Sequence, residues 1–135
     1  MPSTAPVGLL DDSVRDDLQP LMSADVGVLR SADGLHRATK ALTALAETPA
    51  DDAGIGSWEA TNLVTVAAAL VAAASRREET RGSHWRDDFA DRDDERWLGH
   101  LDTVLDDDGS LLTTYVEPTA LARAAAPLTT TEVSA

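Results

Sequence analysis

Between Ser57 and Glu79 the chain reads SWEATNLVTVAAALVAAASRREE, and no other run limits the fold as strongly. Leu63, Val66, Ala67, Leu70 and Ala74 recur at helical spacing, with Val64 and Val71 widening the stripe, which predicts one long helix reaching about Glu79. Ser57 is placed to cap it and Glu59 to put negative charge in its first turn. Arg76 and Arg77 bring positive charge to its last turns, and Gly82 offers a stop signal. Such a helix needs apolar cover from elsewhere in the chain. The sequence is 43% apolar but holds only three tryptophans, one tyrosine and one phenylalanine, so the core has to be thin and built from Leu, Val and Ala.

Two earlier stretches supply that cover. Leu18, Leu21 and Met22 form a short apolar stripe that starts near Asp12 or Ser13, and Pro20 inside it predicts a short or kinked helix. From Asp25 onward Val28, Leu29, Leu35, Ala38, Leu42 and Leu45 follow mostly at spacings of three and four. Gly34 weakens this second helix and moves its expected start to Ser31 or beyond. The segment TPADDAGIGS, Thr48 to Ser57, reads as a loop. The expected architecture is therefore mainly α: a three-helix up-down-up bundle with Leu35, Leu42, Leu45, Leu63, Val66 and Leu70 in its core. Its 135 residues suit one domain. Residues 1–12, with two prolines, are expected to be disordered, 13–118 to form the ordered unit, and the Ala- and Thr-rich 119–135 to be a mobile tail.

After the long helix the pattern changes. ETRGSHWRDDFADRDDERW, Glu79 to Trp97, interleaves acids and arginines with Trp85, Phe89 and Trp97. WLGHLDTVLDDDGSLLTTYVEP then carries two β-rich runs around Asp108-Gly109, a turn signal, which predicts a hairpin of Leu98–Leu105 with Ser110–Val116. An isolated hairpin is marginal in water, so this one has to lie on the bundle.

A formal charge of -13 repels phosphate backbones and anionic lipid, making nucleic acid and membrane surfaces poor partners. The chain has no cysteine, so thiolate metal sites and disulfides are excluded. MPSTAPVGLLDD has neither the basic region nor the apolar core of a secretion signal, and the apolar run Val64 to Ala74 is shorter than the roughly 20 residues of a membrane span; a cytoplasmic protein is expected. His84 and Asp88 stand four residues apart with His100 as a third candidate, but two ligands do not make a metal site and Gly82 argues against a helix there. Ser83 beside His84 lacks any visible oxyanion-hole loop, and the Gly54 to Gly56 GIG lacks the preceding strand and third glycine of a dinucleotide fingerprint. No catalytic, cofactor-binding or metal-ligating residue is assigned.

A solvated linker would leave three large aromatics in water, each able to bury about 150 to 250 Å². A docking surface accounts for aromatics and paired charges together, and an internal brace for the bundle is the alternative. The residues also carry a resemblance. EETRGSHWRDDFADRDDERWLGHL resembles the signature after the long helix in the C-terminal helical domain of the flavoproteins that include L-aspartate oxidase and the succinate dehydrogenase and fumarate reductase flavoprotein subunits. The family's Glu, small residue, Arg-Gly, His, Arg, Asp and aromatic map to Glu79, Thr80, Arg81, Gly82, His84, Arg86, Asp88 and Phe89, followed by DRDDERW. LQPLMSADVGVLRSADGLHRATKAL and WEATNLVTVAAALVAAASRREETRG resemble the L-aspartate oxidase branch, where a Val-Gly-Val/Ile-x-Arg motif opens the second helix. The likeness runs from Val14 to Pro118; Ala90 replaces the family's usual proline.

What the resemblance implies is one part of a larger enzyme. In that family the FAD-binding and capping domains precede the helical domain and hold the flavin and the catalytic groups, so FAD belongs to the parent and none to this chain. The implied partners are those domains, and Arg81, His84, Arg86, Asp88 and Arg92 are the candidates for contact with them. The parent reaction would be oxidation of L-aspartate to iminoaspartate for NAD biosynthesis. A succinate dehydrogenase or fumarate reductase flavoprotein, or a stand-alone helical interaction protein, is the alternative.

Overall fold

The computed structural model describes residues 8–119. Three helices pack on one another: α1, Val14–Asp25; α2, Ala32–Leu45; and α3, Ile55–Arg76. The short strands β1, Leu29–Arg30, and β2, Trp85–Arg86, pair in parallel and tie the α1–α2 connection to the arm that follows α3. The arm ends in a single helical turn, α4, Asp94–Trp97, and an antiparallel hairpin of β3, His100–Leu105, with β4, Leu111–Val116, completes the described chain. The expected bundle, irregular arm and hairpin are all present; the β1–β2 ribbon was not legible in the sequence.

Order begins earlier than Asp12. Leu10 is 1% exposed, its N–H donates to the Thr61 hydroxyl at 2.9 Å, and the Ala50 N–H donates to the Leu9 carbonyl at 2.8 Å. This segment straps the α2–α3 loop to the bundle, which removes residues 9–12 from the expected disordered start. Residues 1–7 and the expected tail from 120 onward lie outside the described residues. α1 is short, at 12 residues, but Pro20 does not end it, since the helix runs through the proline to Asp25. Ser31 caps α2 by accepting from the Gly34 N–H at 3.1 Å, so Val28 and Leu29 lie outside the helix and are exposed.

α3 differs from expectation at both ends. Gly54, not Ser57, is its N-cap; the GIG run opens the helix rather than forming a loop, and the Ser57 hydroxyl instead donates to the Asp52 carbonyl at 3.0 Å. The helix stops at Arg76, three residues before Glu79, because Arg77 is already extended with ψ at 99°. Gly82 has no part in that stop: with φ at +58° it forms the turn between Arg81 and His84, whose N–H and carbonyl groups bond across it.

The core face of α3 is also not the expected one. Ala60, Val64, Ala67, Ala68, Val71 and Ala74 are buried with Leu35, Ala38 and Leu42 of α2 and Val14 and Leu18 of α1. Leu63, Val66 and Leu70, assigned to the core from the sequence, are 40%, 66% and 43% exposed. Small Ala and Val side chains let the helices approach closely, and the bulkier residues are turned to the opposite side, where Ile55 and Trp58 join them. At 22 residues α3 is long and apolar enough, by length and composition alone, to cross a membrane, a test that the core helix of a bundle also passes. The hairpin does lie on the bundle: Leu111 packs against the core and the Arg76 guanidinium donates to the Thr113 carbonyl. Asp108-Gly109 makes its turn, with Gly109 at φ +83°.

These faces separate two substitutions. Leu35→Ala removes a fully buried side chain and is expected to cost about 2 to 5 kcal/mol, whereas Val66→Ala on the outer face should stay within about 0.5 kcal/mol of the parent in a urea melt.

Candidate functional site

The arm from Glu79 to Trp97 is organised around one carboxylate. Glu79 has a fully buried side chain and accepts from Arg77 Nη1 at 2.6 Å, Arg81 Nε at 2.7 Å, Arg81 Nη2 at 3.0 Å and the Asp93 N–H at 2.9 Å. Burial pushes this carboxyl up, but the Arg81 bonds, the Asp93 N–H and Arg77 outweigh it and hold the group below its ordinary range. The two arginines then reach onward. Arg77 donates to the Trp97 carbonyl at 2.7 Å and the Gly99 carbonyl at 2.8 Å, and Arg81 to Asp94 at 2.5 Å. One buried charge thereby joins the end of α3, the arm and the start of the hairpin.

Arg86 makes a second tie. Its side chain is 2% exposed, forks onto both Asp88 oxygens at 2.8 and 2.7 Å, and donates through Nη1 to the carbonyls of Ala74, Ser75 and Arg77 at 2.9, 3.1 and 3.3 Å. The Ala74 and Ser75 carbonyls are among those a helix end leaves without intrahelical partners, so Arg86 caps α3 from outside the helix. Thr80 closes the arm on itself, accepting from the Arg86 N–H at 3.0 Å and donating to the Phe89 carbonyl at 2.9 Å. Phe89 lies under the Arg86 guanidinium at 5.0 Å, and Trp97 stands edge-on to Tyr115 with ring centres 6.0 Å apart. Gly99 permits the turn into β3, since a Cβ there would collide with the Val116 carbonyl. Trp97 is buried and Phe89 half-buried, but Trp85 remains 45% exposed.

His84 connects the arm to the α1–α2 connection. Nε2 lies 3.0 Å from the Arg77 carbonyl and Nδ1 2.7 Å from Arg30 Nη1. A carbonyl only accepts and a guanidinium only donates, so the ring is neutral with its proton on Nε2. Burial lowers the His84 pKa from its ordinary value; the Arg77 carbonyl opposes this, and the positive charges of Arg30, Arg86 and Arg77 add to the lowering. Both ring nitrogens are engaged within the fold and Asp88 is engaged by Arg86, so His84 and Asp88 are not brought together as a pair.

Of the five contact candidates, Arg81, Arg86 and Asp88 are held by partners inside the arm. Arg92, 42% exposed and paired with Asp94, is the outermost. Glu79, Arg77 and Arg30 were missed as organising residues. The signal for Glu79 was its place at the head of an arginine-rich run; for Arg30 it was its place as the arginine of the Val-Gly-Val/Ile-x-Arg motif.

Glu79→Ala leaves two guanidinium groups and a backbone N–H facing a void and is expected to cost about 3 to 5 kcal/mol, while Arg92→Ala should cost about 0 to 1 kcal/mol. Chemical denaturation of both variants measures the difference. His84 binds its proton less tightly folded than unfolded, so its contribution is complete above the unfolded value of about 6.5 and is lost as the pH falls toward the lower folded value. Stability measured from about pH 7 to pH 5 should fall less steeply in His84→Asn than in the parent.

Residues 15–133 match the family described as the fumarate reductase flavoprotein C-term. The chain is 48% identical over 112 residues to an L-aspartate oxidase of Streptomyces coelicolor, covering 76% of this chain and 19% of that protein. It is 33% identical over 118 residues to a fumarate reductase flavoprotein subunit of Mycobacterium tuberculosis, covering 78% of this chain and 20% of that one. Among solved structures it is similar in fold to a quinol-fumarate reductase with menaquinol molecules, with TM-score 0.67 at 23% identity over 84% of this chain and 22% of the other. An E. coli quinol fumarate reductase gives TM-score 0.63 at 21% identity, over 83% of this chain and 22% of that one. The chain spans about a fifth of the length of the curated relatives it matches. A helical bundle whose end is capped by an arginine-carboxylate arm, matched along most of its length, belongs to the C-terminal domain family of the succinate dehydrogenase and fumarate reductase flavoproteins.

Proposed function

We propose that this chain is the C-terminal helical domain of an FAD-dependent L-aspartate oxidase, a cytoplasmic enzyme that oxidises L-aspartate to iminoaspartate for NAD biosynthesis. The observation that carries the choice within the family is the 48% identity to the S. coelicolor L-aspartate oxidase, against 33% to the M. tuberculosis fumarate reductase subunit over a similar length. The domain's part is structural: it packs against the flavin-binding and capping domains and supplies no catalytic group.

Physical support for packing comes from α3. Ile55, Trp58, Leu63, Val66 and Leu70 fall within one side of the helix, opposite the buried Val64, Ala67, Ala68 and Val71. A helix with one apolar face in the bundle and a second, bulkier one outside it is suited to lie between two layers of protein. The polar edge of the arm meets the same partner, with Arg92 the most exposed of the contact candidates, while Arg81, Arg86 and Asp88 keep the arm in shape for it. His84 lies between these roles, half-buried and bonded to Arg30.

The test is a pair of chimeras in which this chain replaces the matching fifth of the S. coelicolor L-aspartate oxidase or of the M. tuberculosis fumarate reductase subunit. Flavin retention and turnover are expected in the first and not in the second; the reverse pattern would assign the chain to the fumarate reductase branch. Failure in both would favour a stand-alone interaction protein. Within the working chimera, Val66→Glu should release flavin and lower turnover while leaving the melting of the isolated chain within about 0.5 kcal/mol. Purified alone, the chain is expected to be colourless.

A further inference from the structure

Around the arm, Arg77, Arg81, Arg86, Arg92 and Arg96 each have a carboxylate oxygen within hydrogen-bonding distance, whereas Arg30 has none among the described residues. Its Nε donates to the Gly27 carbonyl at 2.8 Å and its Nη1 to His84 Nδ1 at 2.7 Å, both neutral acceptors. The chain carries 24 acidic residues against 11 Lys and Arg, an excess of carboxylates, yet none of those described pairs with Arg30. A half-buried guanidinium without a counter-charge is disfavoured by desolvation, and the arrangement persists because Arg30 is held by backbone and ring acceptors.

Arg30 also lines a cleft of about 250 Å³ with His84 and Arg77 on its polar side and Leu70, Ala73 and Leu101 on its apolar side. Among the described residues no acidic side chain lines it. Leu70 belongs at once to this cleft and to the exposed apolar stripe of α3, so the cleft opens at one end of the face proposed for docking. From these positions we infer that the cleft bounded by Arg30, His84 and Arg77 receives the carboxylate of an aspartate or glutamate side chain from the polypeptide that docks on the outer face of α3. This inference rests on the docking proposed above. The carboxylate takes the open side of the Arg30 fork, and its methylene stem lies on Leu70, Ala73 and Leu101. Arg30 and the apolar stripe thus act as two halves of one interface, the charge fixing register and the apolar side chains excluding water.

Two measurements test this separately. In the isolated chain, acetate is titrated at constant ionic strength while the ¹⁵N signals of the Arg30 Nε and the His84 ring are followed, with acetamide as the uncharged control. A saturating shift is expected with acetate and not with acetamide, weakened about tenfold or more in Arg30→Gln and kept in Arg92→Gln. Circular dichroism confirms that each variant is folded, and Arg30→Lys, which keeps the charge without the fork, is expected to fall between the two. No acetate-specific shift, or an equal one in Arg30→Gln, overturns the carboxylate cleft. Succinate binding far more tightly than acetate would overturn the side-chain occupant in favour of a free diacid. In the chimera that assembles, Arg30→Gln should lower flavin retention; retention equal to the parent's overturns the interdomain occupant even where acetate binds. If neither chimera assembles with Arg30 intact, docking itself fails, and the acetate titration still reports on the cleft alone.

Discussion

The buried Glu79 carboxylate is the interaction on which the rest of the structure depends. α3 ends where the chain must turn back, and four donors converge on that one side chain: two guanidinium groups and a backbone N–H reach it from Arg77, Arg81 and Asp93. A carboxylate this deeply buried is tolerated only when its lone pairs are filled, and the geometry fills them with charged donors. Because Arg77 and Arg81 are shared with Trp97, Gly99 and Asp94, the position of the hairpin relative to the bundle follows from where Glu79 sits. Arg86 repeats the device one layer away, joining the carbonyl end of α3 to Asp88.

This division of labour explains why an arm with little regular structure is nevertheless fixed. Its backbone makes few ladder bonds, so its polar groups are satisfied by side chains: Thr80, Glu79 and Asp93 accept from the Arg86, Asp93 and Arg96 N–H groups. The aromatics expected to anchor the arm do so unequally. Trp97 lies under Arg77 and Arg96 and beside Tyr115, and Phe89 under Arg86, while Trp85 stays outside. The arm is therefore an internal brace along most of its length. Its candidate contribution to a partner is concentrated at Arg92, Trp85 and the Arg30 and His84 cleft.

α3 carries the second organising constraint. Its Ala and Val face allows α1 and α2 close approach, and on its other face Ile55, Trp58 and Val66 are mostly exposed while Leu70 borders the cleft it shares with Leu101. The curated relatives that the chain matches are about five times longer than it, and that face with the adjoining cleft is the surface to which the proposed docking is assigned.

The sequence by itself determined the helices, the arm and the hairpin, because each depends on local periodicity or turn chemistry: the stripes of α2 and α3, the Asp108-Gly109 turn, and the Arg-Gly-Ser-His run, where Gly82 argues against a helix. It also carried the family signature. Tertiary structure alone decided which side of α3 is buried, since apolar residues occupy both sides and only the shapes of α1 and α2 choose between them. It alone set the partners of the charges. Glu79, Arg86 and Arg30 are three ionisable residues among many in the sequence, but burial makes the first a hub and the second a helix cap, while the third is held by neutral acceptors and has no carboxylate partner among the described residues.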